Sequence, residues 1–200
     1  MSELEALAAE VVRCTRCLLH QGRTRAVPGE GPEDADILFI GEAPGFHEDQ
    51  QGRPFVGAAG KFLDELLDSI GLRRDEVFIA NVIKCRPPGN RDPLPEEIEA
   101  CKPFLDRQIE LIQPKLVVTL GRFSMARAFP KARISRIHGQ PRKINGVVYY
   151  PMYHPAAALH QPSLRRTVGE DMRRVPKLIE QAAQMAESSL PAEAEQLKLF

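Results

Sequence analysis

Residues 37–45 spell Ile-Leu-Phe-Ile-Gly-Glu-Ala-Pro-Gly, and the interpretation of the fold starts from them. Four consecutive apolar residues followed by a glycine are typical of a short strand buried on both faces of a sheet. Similar apolar runs recur at 77–82, 116–120 and 147–152, with helical spacing between them. This alternation predicts an α/β fold with three α/β/α layers around a central, mainly parallel four-stranded sheet.

The composition is that of one globular domain. With 200 residues, of which 43% are hydrophobic, the chain can fill one sizeable core, which excludes disordered and fibrous classes. We expect a single domain over residues 1–186 and a flexible tail over 187–200. No apolar run reaches the roughly 18 residues that span a bilayer, and the acidic start lacks a signal-peptide pattern. We therefore expect a cytoplasmic monomer without membrane contact.

Charge is unevenly distributed, although 27 Lys and Arg balance 27 Asp and Glu. Residues 115–177 contain 13 Lys or Arg but only two Asp or Glu. Residues 1–114 contain 13 Lys or Arg and 21 Asp or Glu. The basic segment is either a solvated face balanced by acidic groups nearby or a surface that binds phosphates. Charge alone does not choose between these alternatives.

Polar side chains stand at the predicted strand ends, where parallel sheets bind ligands. Glu42 follows the first strand, Asn81 lies in the second and His154 follows the last. Each has a structural alternative: a capping acid, a buried amide with its partners, or a core histidine. Phe55, between Gly52 and Gly57, is either a binding platform or a hydrophobic plug. Their shared edge of the sheet predicts a site.

The four cysteines are explained together by one metal site. Cys14 and Cys17 form a C-x-x-C pair, Cys85 closes the second strand, and Cys101 lies in the next helix. Zinc and a [4Fe–4S] cluster both accept four thiolates. A single C-x-x-C pair, with the other ligands on distant elements, favours the cluster. The alternative is a redox pair plus two buried structural thiols.

Taken together, these motifs resemble those of the family-4 uracil-DNA glycosylases. The resemblance lies in the turn Gly41–Gly45, in Gly52-Arg-Pro-Phe-Val-Gly57, in Asn81-Val-Ile-Lys-Cys85-Arg-Pro-Pro88 and in His154-Pro-Ala. It extends from about Cys14 to the last helix. It implies a uracil-DNA glycosylase-like fold and a [4Fe–4S] cofactor held by the four cysteines.

The resemblance also implies an activity. The enzyme would flip uracil out of single- or double-stranded DNA and hydrolyse its N-glycosidic bond, which initiates base excision repair. Phe55 would stack on the base, Asn81 would pair with N3–H and O4, and Ala43 would line the pocket. His154 and amides of the Gly41–Gly45 turn would stabilise negative charge on O2.

The carboxylate that orients the attacking water is assigned by the same resemblance. Ala43 stands where other uracil glycosylases carry an aspartate, so Glu42 is the first candidate. Glu48 is the second candidate and Asp49 the third. Because the strand ends offer no lysine for a Schiff base, we expect a monofunctional hydrolase without a lyase step.

Two further segments are assigned to partners. The family places its DNA-penetrating loop after the His-Pro motif, which makes Leu159 a candidate wedge and Arg165 and Arg166 candidate phosphate contacts. The alternative is an ordinary exposed loop. The tail resembles the peptide by which bacterial repair proteins bind the sliding clamp, a groove-binding mode. Its anchors would be Gln196, Leu197, Leu199 and Phe200. A DNA-binding enzyme of this kind would be associated with the nucleoid.

Two other functions remain open at this point. One is a non-catalytic iron–sulfur protein that binds DNA lesions. The other is a zinc-stabilised nucleotide-binding protein whose Gly41 turn holds a phosphate. Release of uracil from DNA separates the first from a glycosylase, and the metal content of the purified protein separates the second.

Overall fold

The computed structural model describes residues 1–185. The strands in this part of the chain are β1 Ile37–Gly41, β2 Phe78–Asn81, β3 Leu116–Leu120, β4 Arg142–Ile144 and β5 Val147–Met152. The helices are α1 Glu3–Arg13, α2 Leu19–Gly22, α3 Phe46–Gln51, α4 Ala58–Asp68, α5 Pro95–Ile112, α6 Arg122–Ala126, α7 Ile134–Ile137, α8 Pro155–His160, α9 Leu164–Met172 and α10 Val175–Gln181.

The strands form one sheet in the order β2-β1-β3-β5-β4. All neighbours are parallel except β4, which pairs antiparallel with β5. The described residues therefore contain five strands, and the expected number of four was wrong. The missed strand is the first arm of a hairpin whose turn, Asn145-Gly146, has positive φ at both residues. An Asn-Gly pair is the usual signal for such a turn.

Helices cover both faces of the sheet, which confirms the predicted three layers. Ile37 and Phe39 of β1 point into a core that α4, α8, α9 and α10 complete on one side. Leu38 and Ile40 point into a second core, formed with α1 and α5 on the other. Because successive strand residues face opposite sides, a central strand in two cores must be apolar at every position.

The sheet register determines which residues meet at the carboxyl edge. Gly41 is the register partner of Asn81 across β1 and β2, so the turn after β1 begins beside this amide. Leu120 is opposite Met152, two residues before His154, and the Gly121 amide donates to the Met152 carbonyl. The ends of β1, β2 and β5 therefore lie along one edge, as the predicted site requires.

Two other features complete the description. Pro176 stands in the first turn of α10, where the helical path restarts after α9. None of the helices in residues 1–185 is long and apolar enough to cross a membrane.

Candidate active site

The centre of the site is a close contact between Gly41, Asn81 and Phe55. A Cβ on Gly41 would lie 2.4 Å from Asn81 Oδ1 and 2.6 Å from the Phe55 ring, so only glycine fits. Asn81 is buried, and its Oδ1 has no hydrogen-bond partner among residues 1–185. A buried acceptor without a partner is costly, and one beside an aromatic ring is suited to a ligand's N–H.

Phe55 is held in a backbone conformation that is unusual for a non-glycine residue, with φ of 50°. Arg74 Nη1 donates to the Phe55 carbonyl at 2.9 Å, and the same guanidinium pairs with Glu30 and Asp64. A Cβ on Gly60 would lie 1.9 Å from that carbonyl, so α4 packs directly against it. Strained backbone is often retained at functional sites, because the surroundings fix it for a purpose.

Glu48 connects the turn after β1 to the Phe55 loop. Its Oε2 accepts from the Gly45 amide at 3.1 Å, and its Oε1 accepts from the Val56 and Gly57 amides at 2.8 Å each. Both carboxylate oxygens are therefore engaged by the backbone. The Gly45 amide is engaged as well, which removes it from the donors expected for uracil O2. Asp49 is buried, and its Oδ1 accepts from the Thr24 amide at 2.9 Å.

His154 is held as a neutral ring of fixed tautomer. Its Nδ1 accepts from the Ala156 amide at 3.1 Å, so the remaining proton is on Nε2. Burial lowers the pKa of His154 to about 4, against a small opposing effect of Glu48. The ring stacks on Phe55 with centroids 5.5 Å apart. His154 is therefore a neutral hydrogen-bond donor near pH 7.

Glu42 is a partly buried carboxylate with a charged pair nearby. Burial raises its pKa, the negative charge of Asp92 raises it further, and the positive charge of Arg122 lowers it. Asp92 and Arg122 are themselves ion-paired. Carboxyl groups whose pKa is raised by burial are common in catalytic sites.

A pocket of about 270 Å³ opens between these elements. Glu42 and His154 are on its wall, together with Ala43, Pro44, Gly45, Pro87, Asn90, Arg91 and Ala156. Phe55 and Asn81 are not lining residues here; they adjoin the pocket through His154 and through Gly41. The volume is just below the roughly 300–1,000 Å³ of drug-sized ligand sites and suits one nucleobase.

The four cysteines converge on a second, smaller cavity. Cys14, Cys17, Cys85 and Cys101 all line it. Hydrogen bonds reach their sulfurs from the Arg16 amide (3.5 Å), the Arg23 guanidinium (3.1 Å) and the Lys84 amide (3.2 Å). Within residues 1–185, no three or more His, Cys, Asp or Glu side chains are grouped to hold a single metal ion.

Lys84 was not singled out from the sequence, yet it connects the cysteine cavity to the strand end. It is 1% exposed, and its Nζ donates to the Asn81 carbonyl at 2.9 Å and to Gln108 Oε1 at 2.6 Å. Lys84 therefore lies at a strand end, although we expected no lysine there. Its ammonium is engaged by these two acceptors, and Lys84 is not among the residues that line the pocket.

The residues assigned to DNA are on the surface after His154. Leu159 in α8 is 38% exposed. Arg165 pairs with Glu65 and lies over the Phe62 ring, and Arg166 pairs with Glu170 in α9. Exposed ion pairs contribute little stability, so a phosphate can displace the carboxylates at low cost. The clamp residues Gln196, Leu197, Leu199 and Phe200 lie outside the described residues.

Fold and site together define an α/β protein with a base-sized pocket at the carboxyl edge of a mainly parallel sheet. The model of the uracil DNA glycosylase superfamily matches residues 28–177. A Type-4 uracil-DNA glycosylase of Sulfurisphaera tokodaii is 50% identical over 188 residues, which cover 89% of this chain and 86% of that protein. Another from Archaeoglobus fulgidus is 46% identical, covering 89% and 94%.

A more distant relative is a Type-5 uracil-DNA glycosylase of Thermus thermophilus, 37% identical over 116 residues, half of this chain. The chain therefore belongs to the uracil-DNA glycosylase superfamily, within its Type-4 family. The resemblance inferred from the motifs is confirmed.

Proposed function

We propose that this protein excises uracil from DNA by hydrolysing the N-glycosidic bond, and leaves an abasic site for base excision repair. The observation that carries the proposal is the unpartnered Oδ1 of Asn81, buried beside Phe55. Relatives that cover almost the same length are named Type-4 uracil-DNA glycosylases. Reaching the bond requires the nucleotide to leave the base stack and enter the pocket.

Asn81 supplies the selectivity in this proposal. Its Oδ1 accepts from uracil N3–H, and its amide NH₂ donates to O4. Cytosine offers an acceptor at N3 and a donor at position 4, so both contacts would be mismatched. Phe55 stacks on the base, which requires its ring to part from His154 when uracil enters.

His154 stabilises the departing base. As the glycosidic bond stretches, negative charge accumulates on uracil O2, and the Nε2–H of a neutral His154 donates to it. A buried donor that is already oriented stabilises this charge without reorganisation. Because its pKa is about 4, the donor keeps one protonation state over the physiological range.

Glu42 orients the water that captures the oxocarbenium-like sugar. Both Glu48 oxygens accept backbone N–H bonds, and Asp49 accepts the Thr24 amide, whereas Glu42 lines the pocket. A carboxylate with a raised pKa is also a better proton acceptor than an ordinary one. Glu48 then acts as a positioning residue for the turn and the Phe55 loop.

The cofactor in this proposal is a [4Fe–4S] cluster bound by Cys14, Cys17, Cys85 and Cys101. All four thiols line one cavity, and four thiolates are the ligand set that such a cluster requires. N–H donors on the sulfurs are typical of such ligands. The cluster would hold α1, α5 and the end of β2 together.

The proposal also covers how the protein contacts DNA, whether it binds the sliding clamp and where it acts in the cell. Leu159 fills the vacated stack, and Arg165 and Arg166 contact phosphates. The protein acts as a monomer in the cytoplasm, at the nucleoid. The tail peptide binds the clamp, and deletion of residues 196–200 should abolish that binding without affecting excision.

The test is uracil release from a single-stranded oligonucleotide with one deoxyuridine. We expect release by the wild-type protein and a loss of about 10²–10³-fold in kcat for His154→Ala, the usual cost of one such donor. Asn81→Ala should lose a comparable amount. DNA binding without release would support the lesion-binding alternative, and wild-type rates in both variants would overturn the site.

A further inference from the structure

Phe46 is an aromatic side chain left in solvent at the rim of the pocket. It is 51% exposed, and it is the one aromatic among the large apolar side chains that are exposed within residues 1–185. It follows Gly45, which lines the pocket. Its ring meets that of His47 edge-on, with centroids 5.4 Å apart. An exposed aromatic face next to a binding pocket offers a flat apolar surface on which a ligand can stack.

Arg86 lies over the Phe46 ring. Its guanidinium carbon lies 5.1 Å from the centroid of that ring. Its Nε donates to Asn90 Oδ1 at 2.6 Å, and both Asn90 and Pro87 line the pocket. In the described part of the chain no carboxylate forms an ion pair with Arg86, unlike Arg165 and Arg166.

We propose that Phe46 and Arg86 form a stacking platform for the nucleotide next to the flipped deoxyuridine, a role that rests on the proposed function. The chemistry is that of single-stranded nucleic-acid sites, where an aromatic face stacks on a base and a nearby cation meets the backbone. The neighbouring base is the occupant because Gly45 and Pro87, which flank the platform residues in sequence, form the wall of the uracil pocket. Phe46 stacks on that base, and Arg86 contacts the phosphate that joins it to the deoxyuridine.

The experiment removes the platform and the base separately and together. Excision is measured on three single-stranded oligonucleotides: one intact, one with an abasic spacer 5′ of the deoxyuridine, and one with the spacer 3′ of it. Phe46→Ala should lower kcat/KM on the intact strand about 5- to 20-fold, near the lower end for one base on one aromatic face. The loss should be mainly in KM.

The spacer provides the decisive comparison. One of the two spacers should lower wild-type kcat/KM by a similar factor, and Phe46→Ala should cause no further loss on that strand. This non-additivity identifies the contacted side. Phe46→Tyr should restore the wild-type value, and Arg86→Gln should weaken the dependence of KM on salt.

Val12→Ala, another exposed apolar residue, is the control and should leave excision unchanged. Additive losses, or an unchanged Phe46→Ala variant with the melting temperature of the wild type, would overturn the platform while leaving the proposed function intact. Absence of uracil release by the wild-type protein would instead overturn the proposed function, and this inference with it.

Discussion

Burial sets the chemistry of individual residues in this site. Asn81 Oδ1 has no hydrogen-bond partner in the described residues, and burial lowers the pKa of His154, so its ring is neutral at pH values below its usual pKa. The Glu42 carboxyl has a raised pKa. Each of these states costs folding free energy, because a polar atom is removed from water without full compensation. Uracil would supply the missing partners of Asn81 and His154, so that part of the cost is recovered on binding.

The pair Asp92 and Arg122 offers a test of Glu42. Ionised Glu42 is required to orient water, so kcat/KM should fall as the pH drops through its raised pKa. Asp92→Asn removes a charge that raises this pKa, so the acidic limb should move to lower pH. Arg122→Gln removes a charge that lowers it, so the limb should move to higher pH. We expect shifts of about 0.3–1 pH unit at low salt.

The measurement is kcat/KM of uracil release between pH 4 and 8 at 20 mM and 500 mM salt (about 20 Å and 4 Å of screening length, respectively). Because burial lowers the pKa of His154 to about 4, the assignment rests on the direction of the shifts, and a limb that moves in opposite directions in the two variants belongs to Glu42. Shifts of the same sign in the two variants, or none in either at low salt, would exclude Glu42 as the titrating group.

At the scale of elements, the site depends on side chains that fasten loops to one another. Glu48 in α3 holds the loop before α4, and Arg74 holds the Phe55 carbonyl. Neither helix nor strand carries Phe55 itself. Phe55 is therefore positioned by two charged residues that act on backbone groups, and not by packing alone.

Glu48→Gln tests this fastening against a direct catalytic role. Glutamine replaces one carboxylate oxygen by an NH₂ group, which is a donor. Whether this NH₂ faces the Gly45 amide or the Val56 and Gly57 amides, it meets a backbone N–H, so at least one backbone hydrogen bond is lost. We expect a loss of about 1–3 kcal/mol in the free energy of unfolding, together with a lower kcat. Glu42→Gln should also lower kcat, but its free energy of unfolding should match that of the wild type.

Denaturant unfolding and single-turnover excision on the same samples separate the two carboxylates. If Glu48→Gln lowers the rate while its unfolding curve matches the wild type, Glu48 is the water-orienting residue. In that case the assignment of Glu42 fails.

The elements differ in how far the sequence could predict them. β1, β2, β3 and β5 were predictable because a strand covered on both faces is apolar at almost every position, which leaves a clear pattern. β4 was missed because three residues at a sheet edge show no such pattern, although the turn Asn145-Gly146 signals it. Arg74 and Lys84 could not be assigned, because their partners lie between three and 44 residues away and sequence spacing carries no trace of them.

At the scale of the whole molecule, two sites that are separate in sequence share one buried connection. The Lys84 amide donates to Cys101 Sγ, and its ammonium donates to the Asn81 carbonyl. The same ammonium reaches Gln108 in α5, whose amide donates to the Pro28 carbonyl. The cysteine cavity, the strand that carries Asn81 and the central helix α5 are therefore joined through one residue, by its backbone amide and by its ammonium.

Lys84→Met should show what this connection contributes. It leaves the Asn81 carbonyl and Gln108 Oε1 buried without a donor, at a cost of about 1–3 kcal/mol for each acceptor. We expect a lower free energy of unfolding and a lower kcat/KM for uracil release, since the backbone of Asn81 loses its support. Lys61→Met, an exposed position on α4, is the control and should change neither quantity.

A second substitution distinguishes the effect of unpaired acceptors from a simple loss of packing in Lys84→Met. Gln108→Leu removes one of the stranded acceptors, so the double variant Lys84→Met/Gln108→Leu should be more stable than the sum of the two single losses predicts. With the proposed cluster bound, visible absorption near 400 nm would report the cysteine site separately. Additive losses of stability, or full activity in Lys84→Met at wild-type stability, would mean that the two sites are neighbours without being coupled through Lys84.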